Sequence, residues 1–154
     1  MAPKILIYGY GNPGRQDDSL GIMLTEELEK WCKEKNLTNV KTDMNYQLNI
    51  EDVITVSQSE IVFFVDASRE AIGAYKISEV VPTDKVNFTM HEVSPGYIIE
   101  LCNNFYGYAP QSWLLQIKGY EWNFMEPLSS KAKQNLTKCS AFLKNCIENY
   151  NFNY

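Results

Sequence analysis

His91 is the one histidine in this chain of 154 residues. That scarcity excludes a His-Glu-x-x-His zinc helix, and any serine or cysteine hydrolase would have to use His91 as its base. No Gly-x-Ser-x-Gly elbow is present either. The four cysteines, Cys32, Cys102, Cys139 and Cys146, include no Cys-x-x-Cys pair. Neither a zinc knuckle nor a redox motif is suggested, and scattered thiols on apparent helices read as reduced, buried residues of a cytoplasmic protein. Positive charge is in deficit: 14 Lys and Arg stand against 19 Asp and Glu, a net charge of −5, which removes the basic footprint of a nucleic-acid binder. The apolar runs fall far short of a membrane span. Met1-Ala2-Pro3-Lys4 leads straight into a strand, so no secretory signal is expected. Repeats, low-complexity segments and linkers are absent from the sequence, and its length suits one domain over 1–154 with one sizeable core and a loose, Asn/Tyr-rich tail at 149–154.

What is present is organised around 4–21, KILIYGYGNPGRQDDSLG. The apolar run Ile5–Tyr8 ends in a Gly-rich turn, Gly9-Tyr10-Gly11-Asn12-Pro13-Gly14. Arg15, Gln16, Asp17 and Asp18 follow, and a helical pattern starts at once. Strand, permissive turn and helix start open an α/β fold, in which ligands bind beyond the carboxyl ends of the strands. Apolar Leu20, Met23, Leu24, Leu28 and Trp31 predict a helix over 19–35, with Asn36 as its stop. A second strand is expected at 40–46. A short helix at 50–58 is expected to be capped by Asn49, with Ile50, Val53 and Ile54 on its inner face. Residues 61–65, IVFFV, read as a central buried strand ending in Asp66-Ala67-Ser68.

The alternating stretch 75–81 follows after too few residues for a parallel crossover, so it is expected to run antiparallel to the strand at 61–65. A turn at 82–85 allows 86–90 to return, which places His91 at the same sheet edge as Asp66. Ser94-Pro95 starts a helix that stops at Gly107, 113–118 is a further strand, and Ser129 or Ser130 caps a last helix near 130–148. The expectation is a three-layer α/β sandwich: a mostly parallel twisted sheet with one antiparallel strand and helices on both faces.

Three candidates then converge at one edge: Asp17/Asp18, Asp66 and His91. Gly9-x-Gly11-x-x-Gly14 formally matches a dinucleotide fingerprint, but Pro13 interrupts it and two carboxylates stand where a phosphate would bind. A nucleotide- or flavin-binding domain is the alternative this motif keeps open. One acid suffices to cap a helix start, so one of Asp17 and Asp18 is expected to cap or orient and the other to face the crevice. Two carboxylates and one imidazole form a mixed O/O/N set with room for outside ligands. It would bind metal when the acids are ionised and His91 is neutral, with affinity falling below about pH 6.

At these residues the chain resembles the hydrogenase maturation endopeptidases. The likeness rests on Gly9-x-Gly11-Asn12-Pro13, Asp17-Asp18, Gly21, Val65-Asp66-Ala67, His91-x-x-Ser94-Pro95 and Pro110, and it spans nearly the whole chain. The resemblance implies a protease that removes the C-terminal extension of a nickel–iron hydrogenase large-subunit precursor once nickel is inserted. It places the metal contacts on Asp18, Asp66 and His91, with Gly9, Gly11, Asn12 and Asp17 in support. The nickel belongs to the precursor, no cofactor is held permanently, and zinc or cadmium could stand in. The implied partner is the precursor, without nucleic acid or membrane insertion, and a monomer is expected in preference to an oligomer. The usual Arg-Gly-Asp-Asp-Gly reads Arg15-Gln16-Asp17-Asp18-Ser19 here, and Gln47-Leu48 replaces a glycine turn. A module that binds the nickel-loaded precursor without cutting it would carry the same ligands.

Overall fold

Among the described residues, alternation of apolar strands with amphipathic helices produces a five-stranded sheet covered on both faces. The computed structural model describes residues 2–85 and 93–152. The strands are β1 (Ile5–Tyr10), β2 (Val40–Asn45), β3 (Ile61–Ser68), β4 (Tyr75–Glu79) and β5 (Gln111–Lys118). The helices are α1 (Leu20–Glu34), α2 (Asp52–Ser57), α3 (Pro95–Tyr106) and α4 (Ser130–Asn149), and a 3₁₀ turn, Gln16–Ser19, precedes α1. The sheet order is β2-β1-β3-β5-β4, with β4 antiparallel to β5 and the other pairs parallel. The α/β class, the mostly parallel sheet and the single antiparallel strand are as expected.

Alternation sorts the core into two layers. Ile5 and Ile7 of β1 and Ile61, Phe63 and Val65 of β3 pack with Leu20, Leu24 and Leu28 of α1 and with Cys139, Leu143 and Ile147 of α4. Leu6, Tyr8, Val62 and Phe64 point the other way, into a layer with Val53 and Val56 of α2 and Ile98, Ile99 and Cys102 of α3. Strands buried on both faces must be apolar at every position, which is why 5–8 and 61–65 show no polar alternation.

The direction of β4 is as expected, and three other expectations need correction. The strand at 75–79 does run opposite to β3, but it pairs with β5, which lies between them. β5 is mostly buried and takes the inner place, while YKISE, with polar Lys76, Ser78 and Glu79, goes to the edge. α2 begins at Asp52, and Asn49 does not cap it. Instead Asp52 Oδ2 accepts from the Asn49 backbone N–H (2.8 Å), which turns Val53 and Val56 inward. Ile50 and Ile54 consequently lie 52% and 53% exposed. β3 runs on to Ser68, so Asp66 belongs to the strand and stands opposite Gln116 of β5. The tail is docked as far as it is described. Phe152 is 7% exposed, packs its ring on Phe63 and accepts a hydrogen bond from Gln111 Nε2 at its carbonyl (3.1 Å). The returning stretch 86–90 and His91 lie outside the described residues.

Candidate functional site

Two chain reversals meet at the carboxyl ends of β1 and β3, where the sheet order switches direction. Gly9 of β1 pairs with Met44 of β2 and with Val65 of β3. α1 begins directly above this junction because residue 21 is glycine: a Cβ there would collide with the Val65 and Tyr10 carbonyl oxygens. Gly11 holds φ 141°, and a side chain on it would strike the Asp18 carbonyl. The glycines therefore bring helix and turn close to the strands.

The turn places its two acids on opposite sides. Asp17 is 0% exposed. Its Oδ2 accepts from the backbone N–H groups of Tyr120 (2.8 Å) and Glu121 (3.0 Å) and from Ser129 Oγ (2.7 Å), while Oδ1 accepts from Ser129 N–H (2.9 Å). Burial opposes the charge on this carboxylate, but the Ser129, Tyr120 and Glu121 donors outweigh it and hold the pKa below the usual carboxylate value. Ser129 in turn caps α4. Asp17 was expected to support its own helix start. No side-chain cap is formed there, and the residue instead fastens the irregular segment 119–129. Its neighbours help: Gln16 Oε1 accepts from Asn123 N–H (3.0 Å), Arg15 Nε donates to the Trp122 carbonyl (3.1 Å), and Met125 N–H donates to the Gly14 carbonyl (2.9 Å).

Asp18 faces the other side and is half-buried. Its Oδ2 accepts from the Asn12 N–H (2.9 Å), while Asn12 Oδ1 accepts from the Gly14 N–H (2.9 Å). Asp66, also half-buried, accepts at Oδ1 from the Ala67 N–H (2.8 Å). Asp18 and Asp66 line one cavity of ≈190 Å³, together with Tyr10, Gly11, Tyr46, Gln47, Leu48 and Val93. Of the sequence candidates, the structure brings Asp18, Asp66 and Gly11 to this cavity, sets Asn12 behind Asp18 and turns Asp17 away. His91 lies outside the described residues; Val93, two positions later, lines the cavity. Among the described residues no group of three or more His, Cys, Asp or Glu side chains is placed to hold a metal.

The arrangement bears on two alternatives. Asn12's amide, which a phosphate would need in a Gly-rich turn, is taken by Asp18's own carboxylate, so the Gly9–Gly14 fingerprint lacks the free donor of a nucleotide site. The cysteines are free and buried, and burial pushes the Cys32 and Cys102 thiols up to about 11. Such groups are poor nucleophiles. Sequence reasoning missed Tyr46, Leu48 and Val93 as cavity walls and Ser129 and Asn123 as anchors. These anchors lie more than a hundred residues from Asp17 and Gln16, and no local pattern signals them.

No family sequence model matches the chain, and no curated protein matches it in sequence. Solved structures do match. The NiFe hydrogenase maturation protease HycI from Thermococcus kodakarensis KOD1 superposes with a TM-score of 0.76 at 19% identity, covering 95% of this chain and 93% of that one. The hydrogenase maturating endopeptidase HybD from E. coli gives 0.75 at 17% identity, over 96% and 94% of the two chains. A further endopeptidase from Escherichia coli gives 0.71 at 16% identity, over 96% and 94%. Over at least 95% of its length, this chain has the fold of the NiFe hydrogenase maturation proteases.

Proposed function

We propose that the protein is an endopeptidase of hydrogenase maturation, which removes a C-terminal extension from a nickel–iron hydrogenase large-subunit precursor. The observation that carries this reading is the pair Asp18 and Asp66. They come from two different elements at the switch of strand order, face one small cavity, and leave Asp17 to the framework. Oxygen donors from β3 and from the turn after β1 would form an open ligand set with the imidazole that the resemblance assigns to His91. In this reading the set grips the nickel carried by the precursor and thereby places the scissile bond beside the cavity. The metal is part of the substrate, and recognition of it restricts cutting to precursors already loaded. The resemblance at Gly9–Gly21, Val65–Ala67 and His91–Pro95 supports the same residues, and the shared fold agrees with it.

Mass spectrometry of a nickel-loaded large-subunit precursor decides the matter, after incubation with the wild-type protein or with Asp66→Asn. Loss of a C-terminal peptide with wild type alone is expected. Stable binding without cleavage would replace this reading with that of a non-cutting precursor chaperone, and no interaction at all would reject both.

A further inference from the structure

One wall of the cavity that Asp18 and Asp66 line is a segment with no regular structure of its own, residues 46–48, of which Tyr46 and Gln47 are exposed. What holds it lies beneath the sheet surface. Tyr8 of β1 is buried among Leu6, Leu48, Val53 and Phe64, where a phenylalanine would pack as well. A buried phenol hydroxyl requires partners. It donates to Asp52 Oδ2 (2.7 Å). That carboxylate continues to the wall: Asp52 Oδ2 also accepts from the Asn49 N–H (2.8 Å). On the other side Asn45 Oδ1 accepts from the Tyr46 N–H (2.8 Å). Through Asp52, one hydroxyl therefore ties down Asn49, where 46–48 ends.

We infer that Tyr8 and Asp52 are positioning residues, which hold the 46–48 wall at the width needed to receive the precursor. The phenol suits this task. Burial first, and then the adjacent Asp52 carboxylate, push its pKa far above the usual tyrosine value, so the phenol is a hydrogen-bond donor in neutral solution. The kinetic part of this inference rests on the peptidase reading. A loosened wall must be ordered again each time a precursor binds, so the effect falls on binding rather than on the bond-breaking step.

The test is Tyr8→Phe, which removes one oxygen and keeps the ring, compared with Tyr108→Phe. Tyr108 donates its hydroxyl to the Ser59 carbonyl (3.2 Å). Ser59 precedes the start of β3, at the opposite sheet edge from the cavity. Tyr8→Phe is expected to speed amide hydrogen exchange at 46–49 about tenfold and to raise KM for the loaded precursor about tenfold. kcat should stay within about twofold, and Tyr108→Phe should change neither quantity. Asp52→Asn keeps one accepting oxygen and should show a smaller rise in both. Unchanged exchange at 46–49, or faster exchange with an unaltered KM, overturns the inference even if thermal stability falls. Should the wild-type protein cut no precursor, the peptidase reading fails by itself. Exchange at 46–49 then decides alone whether the hydroxyl holds the wall.

Discussion

Asp17 and Asp18 are the same residue type, adjacent in sequence, with opposite fates. Asp17 turns toward α4 and, fully buried, meets four hydrogen-bond donors from the protein. Asp18 turns toward the cavity and accepts from the Asn12 amide, with the rest of its carboxylate beside an open volume. A carboxylate whose lone pairs are saturated by protein donors has little capacity left for chemistry. One that is only partly satisfied, at a sheet's switch point, keeps it. In the reading proposed above, the turn separates two jobs: the 119–129 side is framework, and the cavity side carries the chemistry. Each of the following substitutions tests that separation.

The largest effect belongs to Asp17→Asn. An amide NH₂ would be forced against N–H donors, and a buried hydrogen-bond network would lose its one charged acceptor, so a loss of about 3–5 kcal/mol is expected. That is a large part of the stability of a domain this size. The pH dependence has a definite sign. The folded-state pKa of Asp17 is depressed, so its contribution is fully present above the ordinary carboxylate pKa. It is lost as pH falls below about 4, through the folded-state value. Urea unfolding from pH 7 to pH 3 should show this acid-side decline in wild type and a flatter curve in Asp17→Asn. A variant that loses no more stability than Asp18→Asn would remove the framework role.

Asp18→Asn and Asp66→Asn should reverse the pattern. Precursor cleavage is expected to drop by about a hundredfold or more, the scale on which single catalytic-site groups act. The urea midpoint should correspond to a change of about 1 kcal/mol or less, because each residue is half-buried and a hydrogen-bond acceptor remains. Unfolding of either variant at room temperature would assign these acids to the framework as well.

Legibility in the sequence follows the same division. The layered fold was readable because 5–8 and 61–65 must be apolar on both faces, and Ser94-Pro95 and Gly107 mark the ends of α3 by local rules. Ile50 and Ile54 misled because the period of a six-residue helix depends on its first residue. That residue was fixed by Asp52, whose second partner, Tyr8, lies 44 positions away. The direction of β4 was readable, but its pairing with β5 was not, since the insertion of β5 between β3 and β4 is a long-range event. Asp18 and Asp66 were legible as residues that end up beside a crevice. That Asp17 would reach Ser129, 112 positions on, was not, because only the fold brings α4's cap to the turn.

Gln16 offers the smallest and sharpest comparison. It stands where the resemblance leads one to expect glycine, and its backbone is in the left-handed region at φ 39°. A non-glycine residue there costs roughly 1–2 kcal/mol, while the bond from the Asn123 N–H to its side chain returns about 1 kcal/mol. Gln16→Gly loses that bond, relieves the strain and adds freedom to the unfolded chain, so its net change should lie within about 1 kcal/mol of zero. Gln16→Ala loses the bond and keeps the strain. It should therefore be the less stable of the two by about 1 kcal/mol, the reverse of the usual order between alanine and glycine. Both should cleave precursor at close to the wild-type rate, since Gln16 faces the 119–129 side. Urea midpoints for the pair, with cleavage assays alongside, decide it. An alanine variant more stable than the glycine variant would deny the strain, and a cleavage loss as deep as that of Asp18→Asn would mean that the two sides of the turn do not act independently.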